Sequence, residues 1–212
     1  MEAKKLIEGF LKLPTGNVCD ANGKSGNMDY HIKPIDPKSK LAGPAFTVPC
    51  MPGDNIAIHE AIYAAPAGSV LVIDMKGYTR AGPIGEIVVT ACMMQNLAGI
   101  VIDGTVRDGA DIEALGFPLF CRGLNPGGTL KNVLTDLNTP IVCGGVQVNP
   151  GDMIVGDRDG VVVIAKEKAQ EVLGKAQAIS DKEDIITREI KGGKTTLEIY
   201  GFDKKIKEIR GI

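Results

Sequence analysis

A short apolar run, Gly99-Ile100-Val101-Ile102, breaks off abruptly into Asp103-Gly104-Thr105-Val106-Arg107-Asp108. Its length and branched aliphatics predict a buried strand. A strand that leaves a core and delivers Asp, Arg and Asp to one loop sets polarity against apolar packing. Such strand-end loops are where α/β proteins build their sites. Arg107 offers a planar fork suited to a carboxylate, and Asp108 offers oxygen to a hard divalent cation. Together they suggest a metal-assisted site for a small anionic substrate. A purely structural reading stands beside this one: Asp108 caps a helix running from Asp108 to Ala114, and Arg107 is solvated.

The preceding segment, residues 77–96, bears on that choice. Gly77, Gly82 and Gly85, with Pro83 among them, predict a flexible loop. From Glu86 the pattern turns helical, with Ile87, Ala91, Met94 and Leu97 at spacings of three and four, and Gly99 ends it. A glycine-rich turn entering a helix leaves N–H groups free at the positive end of the helix dipole, which favours an anion. Glu86 in the first turn suits that dipole, and capping alone accounts for it. If this helix start and the strand end meet, free amides, Glu86, Arg107 and Asp108 surround one cavity.

Elsewhere the pattern alternates strands with helices. A first amphipathic helix ends at Pro14, and residues 15–40, polar and rich in Gly and Pro, read mostly as loop. Strands are expected at Ala45–Val48 and Val70–Asp74, flanking a helix from Asp54 to Ala64 with Asp54 as N-cap. A helix to Leu115 stops at Gly116, and a strand follows at Leu119–Cys121. Between Thr139 and Ala165 short strands are punctuated by Asn149-Pro150-Gly151 and Asp159-Gly160, which signal hairpins. Residues 166–191 form a long helix with Ala169, Val172, Leu173, Ala176 and Ile179 on one stripe, resumed at Ile186 and Ile190. The fold class is α/β with a mixed sheet and a C-terminal helix. No linker divides the 212 residues, so one domain spans 1–212. Residues 181–212, with Leu197, Ile199, Tyr200 and Phe202, form an extension able to contact another copy.

Composition excludes several functions. A net charge of −2 lacks the basic stripe of a general nucleic-acid binder. Five cysteines, odd in number and without a CxxC pair, read as small buried hydrophobes in a reducing cytoplasm. The N-terminal stretch lacks an uninterrupted apolar core, so neither a signal peptide nor a membrane span is expected. His31 and His59 have no neighbours at ligand spacing, which argues against zinc.

The order and spacing of several motifs carry a resemblance. Gly85-Glu86-Ile87-Val88 followed by Gly99 to Asp108 resembles the 4-hydroxy-4-methyl-2-oxoglutarate aldolase family, which also contains the RraA-like regulators of ribonuclease E activity. Pro52-Gly53-Asp54-Asn55, the run from Pro66 to Asp74, Phe117 to Gly123, Gly144 to Asp152 and Asp157 to Val163 look like its landmarks, so the likeness covers most of the chain. It implies a layered β/β/α sandwich like a swivelling domain, assembled as homotrimers or pairs of trimers. It implies Asp108 as the carboxylate holding Mg²⁺ or Mn²⁺, Arg107 on the keto and carboxylate oxygens of a pyruvate-like 2-keto acid, and the amides of Gly85, Glu86, Ile87 and Val88 on the substrate carboxylate. Glu86 falls where family aldolases carry an acid beside the metal's water, often Asp. Some relatives borrow an acid from a neighbour's C-terminal region, for which Glu183 is the candidate.

The chemistry agrees with that assignment. Cleaving a carbon–carbon bond beside a 2-keto acid produces a pyruvate enolate, which needs positive charge where the oxygen becomes negative. Three classes of function stay open. The first is a metal-dependent aldolase with oxaloacetate decarboxylase activity, favoured because Glu86, Arg107 and Asp108 are all present. The second is a non-enzymatic, protein-binding regulator. The third is a methyltransferase, disfavoured because no glycine-rich fingerprint follows the first strand.

Overall fold

The computed structural model describes residues 2–211. Two helices open the chain, α1 (Glu2–Phe10) and α2 (Thr15–Ala21). The central elements are β1 (Lys33–Pro34), β2 (Leu41–Pro49), α3 (Ile56–Ala64), β3 (Val70–Tyr78), α4 (Glu86–Met94), β4 (Gly99–Val106), α5 (Gly109–Leu115), β5 (Leu119–Cys121) and β6 (Gly123–Leu124). Four short strands follow: β7 (Ile141–Cys143), β8 (Val146–Val148), β9 (Met153–Asp157) and β10 (Gly160–Ile164). The C-terminal helices are α6 (Ala169–Lys191), α7 (Thr196–Tyr200) and α8 (Phe202–Arg210).

The main sheet runs in the order β1-β5-β4-β3-β2-β9-β10, with β6 pairing the far end of β4. Strands β2, β3, β4 and β5 are parallel, while β1, β9 and β10 join antiparallel. The period of two decides what lies above and below. Leu71, Ile73, Ile100 and Ile102 face α3, α4 and α5, meeting Ile58, Ile62, Val89 and Ile112. Val70, Val72 and Val101 face the separate β7–β8 hairpin and meet Ile141, Cys143 and Val148. Hairpin, sheet and helices thus form the expected β/β/α layers. Each fully buried Leu or Ile contributes roughly 1.5–3 kcal/mol of transfer free energy, so the parallel strands form a stiff platform for whatever their ends carry. A third cluster packs α1, α2 and the first half of α6 on β9 and β10 through Phe10, Val18, Val155, Val172 and Ala176.

One local expectation holds with an addition and two are corrected. Residues 15–40 are mostly loop, but α2 forms at their start because Val18 is buried in the third cluster, and Thr15 is fastened to Asp157 through its amide and hydroxyl at 2.9 and 2.7 Å. The helix after Asp54 starts one residue later, at N-cap Asn55, with Asp54 accepting from the Ile56 amide at 3.0 Å. The turn at Asn149-Pro150-Gly151 joins strands of different sheets, not a hairpin. The hairpin turn there is Gly144-Gly145, whose φ values of 56° and 77° suit glycine. The turn before Gly160 does join the antiparallel pair β9–β10.

Cys50, Cys92, Cys121 and Cys143 are buried and unpaired, and burial pushes the thiols of Cys50 and Cys92 up to about 12. Among the described residues no helix is long and apolar enough to cross a membrane.

Candidate functional site

Strand β4 ends at Val106, and Arg107 and Asp108 follow it directly. Asp108 adopts φ 57° and ψ 40°, a left-handed conformation that costs a non-glycine residue on the order of 1–3 kcal/mol. Its carbonyl accepts from the Ile112 amide at 3.0 Å, so the residue does start α5. Its carboxylate, however, makes no cap bond to that helix. Oδ2 instead accepts from the Glu86 amide at 3.2 Å and lies 3.6 Å from Arg107 Nε. The strained turn therefore aims the carboxylate at the start of α4. Strand end and helix start do meet.

The segment leading into α4 is not the flexible loop its glycines suggest. Residues 81–85 are all buried, and their polar backbone is tied down in sequence. Ala81 O accepts from Thr105 Oγ1 at 2.8 Å, Gly82 N donates to Gly127 O at 2.9 Å, Pro83 O accepts from Asn55 Nδ2 at 2.9 Å, and Ile84 O accepts from Arg107 N at 2.9 Å. Gly85 is required by close approach: a Cβ there would lie 2.2 Å from Asp108 Oδ2 and 3.1 Å from Arg107 Nε. The amides of Gly85, Ile87 and Val88 donate to no protein acceptor among the described residues. The Glu86 amide is already engaged by Asp108, so three of the four expected donors are free.

These groups line a cavity of about 310 Å³. Another part of its wall is built by Asn55, the N-cap of α3, by His59 one turn further along, and by Thr129 and Lys131. Asp54 fixes that wall. Only 2 % exposed, it accepts from Ile56 on one oxygen and from the Asn132 and Val133 amides, at 2.6 and 3.3 Å, on the other. Burial would raise its pKa, but those amides and the Lys131 cation overcome the effect and hold the carboxyl below its ordinary value. A second hollow, of about 360 Å³, opens on the other side of the Arg107–Asp108 pair against Leu124, Asn125 and Pro126.

The residues singled out in the sequence are not equivalent. Arg107 and Asp108 are partly exposed, with side chains 46 % and 40 % accessible, and line both hollows. Glu86 is exposed and lines neither, while Ile87 and Val88 border the larger-walled cavity. Asp103 turns away and braces the fold: it accepts from Arg122 Nε and, at 3.0 Å, from the Gly144 amide. Glu183 accepts from Asn17 Nδ2 at 2.9 Å within its own chain.

Among the described residues no group of three or more His, Cys, Asp or Glu side chains could hold a metal ion. Asp108 Oδ1 is the one site oxygen of that carboxylate without a protein hydrogen bond. A lone carboxylate with open space beside it suits a hard cation that keeps waters and takes substrate oxygens, and does not suit zinc in an all-protein cage.

A family model described as "RraA-like: Aldolase/RraA" matches residues 15–163. The chain belongs to the RraA-like family. A protein of Halalkalibacterium halodurans named "Putative 4-hydroxy-4-methyl-2-oxoglutarate aldolase" is 38 % identical over 194 residues, covering 92 % of each chain. Among solved structures, Streptomyces coelicolor RraAS2, described as an unusual member of the RNase ES inhibitor RraA protein family, superposes with a TM-score of 0.77 at 28 % identity, over 86 % of this chain and 96 % of that one. A Geobacillus kaustophilus protein titled S-adenosylmethionine: 2-dimethylmenaquinone methyltransferase gives 0.68 at 30 % identity, over 73 % and 96 %.

In this RraA-like chain the matched span contains the whole cavity, and α6, α7 and α8 lie beyond it. Sequence reasoning missed Asn55, His59, Thr129 and Lys131. The available signal was the four-residue spacing of Asn55 and His59 on one helix, next to the Pro52-Gly53-Asp54 turn.

Proposed function

We propose that this RraA-like protein is a divalent-metal-dependent aldolase that releases pyruvate from a 4-hydroxy-2-keto acid such as 4-hydroxy-4-methyl-2-oxoglutarate, and that the same centre decarboxylates oxaloacetate. The observation that carries this reading is the strained Asp108, whose carboxylate meets Arg107 and the open amides of α4 at one cavity. Asp108 would hold Mg²⁺ or Mn²⁺ through its unpartnered oxygen. When bound, that ion supplies Lewis-acid charge at the keto oxygen.

The remaining work falls to the chain's own groups. The amides of Gly85, Ile87 and Val88 bind the substrate's C1 carboxylate at the positive end of α4. Arg107 donates its planar fork to the keto and carboxylate oxygens, and its charge strengthens that contact as the enolate forms. The C3–C4 bond breaks with its electron pair going to the enolate. The C4 hydroxyl gives up its proton and becomes the carbonyl of the second product. Glu86, exposed in the first turn of α4, receives that proton through water, and protonation at C3 completes pyruvate. With oxaloacetate the same bond breaks and C4 leaves as carbon dioxide.

A second reading, a non-enzymatic regulator that binds a ribonuclease, is favoured by the likeness to RraAS2. One domain over 1–212, with 181–212 contacting another copy in a trimer or hexamer, completes the proposal. The deciding experiment couples pyruvate release to NADH oxidation with the hydroxy acid and oxaloacetate, with Mg²⁺ or Mn²⁺ and with chelator. Metal-dependent release supports the aldolase. Absence of release from both substrates under every metal condition supports the regulator, and full turnover after exhaustive chelation removes the metal and points to a lysine Schiff base.

A further inference from the structure

Every residue of β4 is buried, and the polar side chains in it are those of Asp103 and Thr105. Asp103 serves Arg122 and the Gly144 amide. Thr105 is 6 % exposed, and its Oγ1 donates to Ala81 O at 2.8 Å. Ala81 is itself buried, and no other hydrogen bond reaches that carbonyl among the described residues. A buried hydroxyl is costly unless it is bonded, and valine has nearly the same shape without one. The Thr105 hydroxyl therefore acts on one partner, and that partner opens the segment that leads into the α4 amides.

The site has two halves distant in sequence: residues 81–88 with their free amides, and the turn that carries Arg107 and Asp108. Three hydrogen bonds fix one half against the other. Arg107 N donates to Ile84 O at 2.9 Å, and Glu86 N donates to Asp108 Oδ2 at 3.2 Å. The third is Thr105 to Ala81, at the far end of the segment and two residues before Arg107. The halves are closely packed, since a Cβ on Gly82 would lie 2.7 Å from Arg107 Cβ and 2.8 Å from Arg107 N. We infer that Thr105 is a positioning residue: through Ala81 O it sets the α4 amides against the Arg107–Asp108 turn, and with them the affinity for a 2-keto carboxylate. This rests on the reading that those amides take the substrate's carboxylate. Thr105 lines neither hollow and moves no proton. Without its hydroxyl the Ala81 carbonyl is buried and unpaired, which is unfavourable. The segment relieves that cost by shifting, and the amides shift with it. Asn55 and Gly127 still hold Pro83 and Gly82, so the cradle is loosened and not released.

The test measures the Kd of pyruvate by calorimetry in the full-length protein with Mn²⁺, beside thermal unfolding of the same preparations. Two pairs isolate the hydroxyl. Thr105→Val against the unaltered protein removes it at nearly constant shape, and Thr105→Ala against Thr105→Ser removes it with the methyl absent from both. Either pair suffices if a member of the other fails to fold. A hydrogen bond of ordinary strength predicts that the member without the hydroxyl binds pyruvate about tenfold more weakly in each pair. Thr105→Ser should bind within about twofold of the unaltered protein even where its melting temperature is lower. A merely structural threonine moves the melting temperature alone, so equal Kd values within the pairs overturn the proposal. Weak binding in Thr105→Ser, equal to that in Thr105→Ala, overturns it as well. Failure of the aldolase reading looks different: pyruvate still binds and the pairs still differ, but the unaltered protein releases no pyruvate from a 4-hydroxy-2-keto acid. An unaltered protein that binds no pyruvate removes the carboxylate cradle and this proposal with it.

Discussion

Replacing Gly85 by alanine should lower turnover by about a hundredfold while sparing the fold. The backbone at Gly85 has φ −134°, which any residue adopts, so the substitution introduces no backbone strain. The added methyl, however, would lie 2.2 Å from Asp108 Oδ2, against an ordinary contact of 3.4–4 Å, so the carboxylate must retreat by roughly 1 Å. Asp108 cannot follow by backbone motion, since its left-handed turn is fixed by the Ile112 bond below and the Arg107–Ile84 bond above. The side chain must swing instead, giving up the 3.2 Å bond from the Glu86 amide. A misplacement of about 1 Å in a positioned group costs around a hundredfold in turnover. Stability should fall by only about 1 kcal/mol, the size of one partly exposed hydrogen bond. Thermal unfolding and pyruvate release, measured on the same preparations, separate the two effects. A Gly85→Ala protein with near-normal turnover and an unaltered metal requirement would refute the reasoning, because the cradle would then not position the carboxylate at all.

Asp103→Asn should act on stability, not on chemistry: it weakens the contacts to Arg122 and the Gly144 amide, for a loss of about 2 kcal/mol in urea unfolding with the metal requirement intact. Asp29 is held down to about 2 by the amide and imidazole of His31 and by Arg122, against an ordinary value of 3.8. A lowered carboxyl stabilises the fold above its unfolded value and ceases to do so as pH falls, so Asp29→Asn should flatten the loss of melting temperature between about pH 4 and pH 2. Removing residues 181–212, which carry exposed Ile185, Tyr200, Phe202 and Ile209, should lower the molar mass seen by light scattering, and an oligomer unchanged by that removal sets the extension aside as a contact.

Much of the platform was legible, because Val70–Ile73 and Ile100–Ile102 are short continuous runs of mostly branched aliphatics beside turn residues, the pattern of a strand buried on both faces. The meeting of β4 and α4 was legible only as a condition, since it depends on Asp108 adopting a conformation no local rule requires of aspartate. Flexibility was misread at residues 81–85 for a physical reason. Glycine marks either freedom or crowding, and here the crowding comes from Arg107 and Asp108, distant in sequence. The wall of Asn55, His59, Thr129 and Lys131 was hidden because Asp54 assembles it through amides more than seventy residues away. Helix α2 was missed because tertiary burial of Val18, not propensity, forms it.

The central claim is that Asp108 holds a divalent ion while Arg107 serves the substrate, and a metal titration of two variants separates those roles most directly. Asp108→Asn keeps the shape but weakens the cation site, so its turnover should fall and then recover in part as Mn²⁺ is raised. Arg107→Lys keeps the charge but loses the fork, so turnover should fall by about 10²–10³ and stay there at every Mn²⁺ concentration. Near-normal turnover in both folded variants would contradict the account and place the active centre elsewhere.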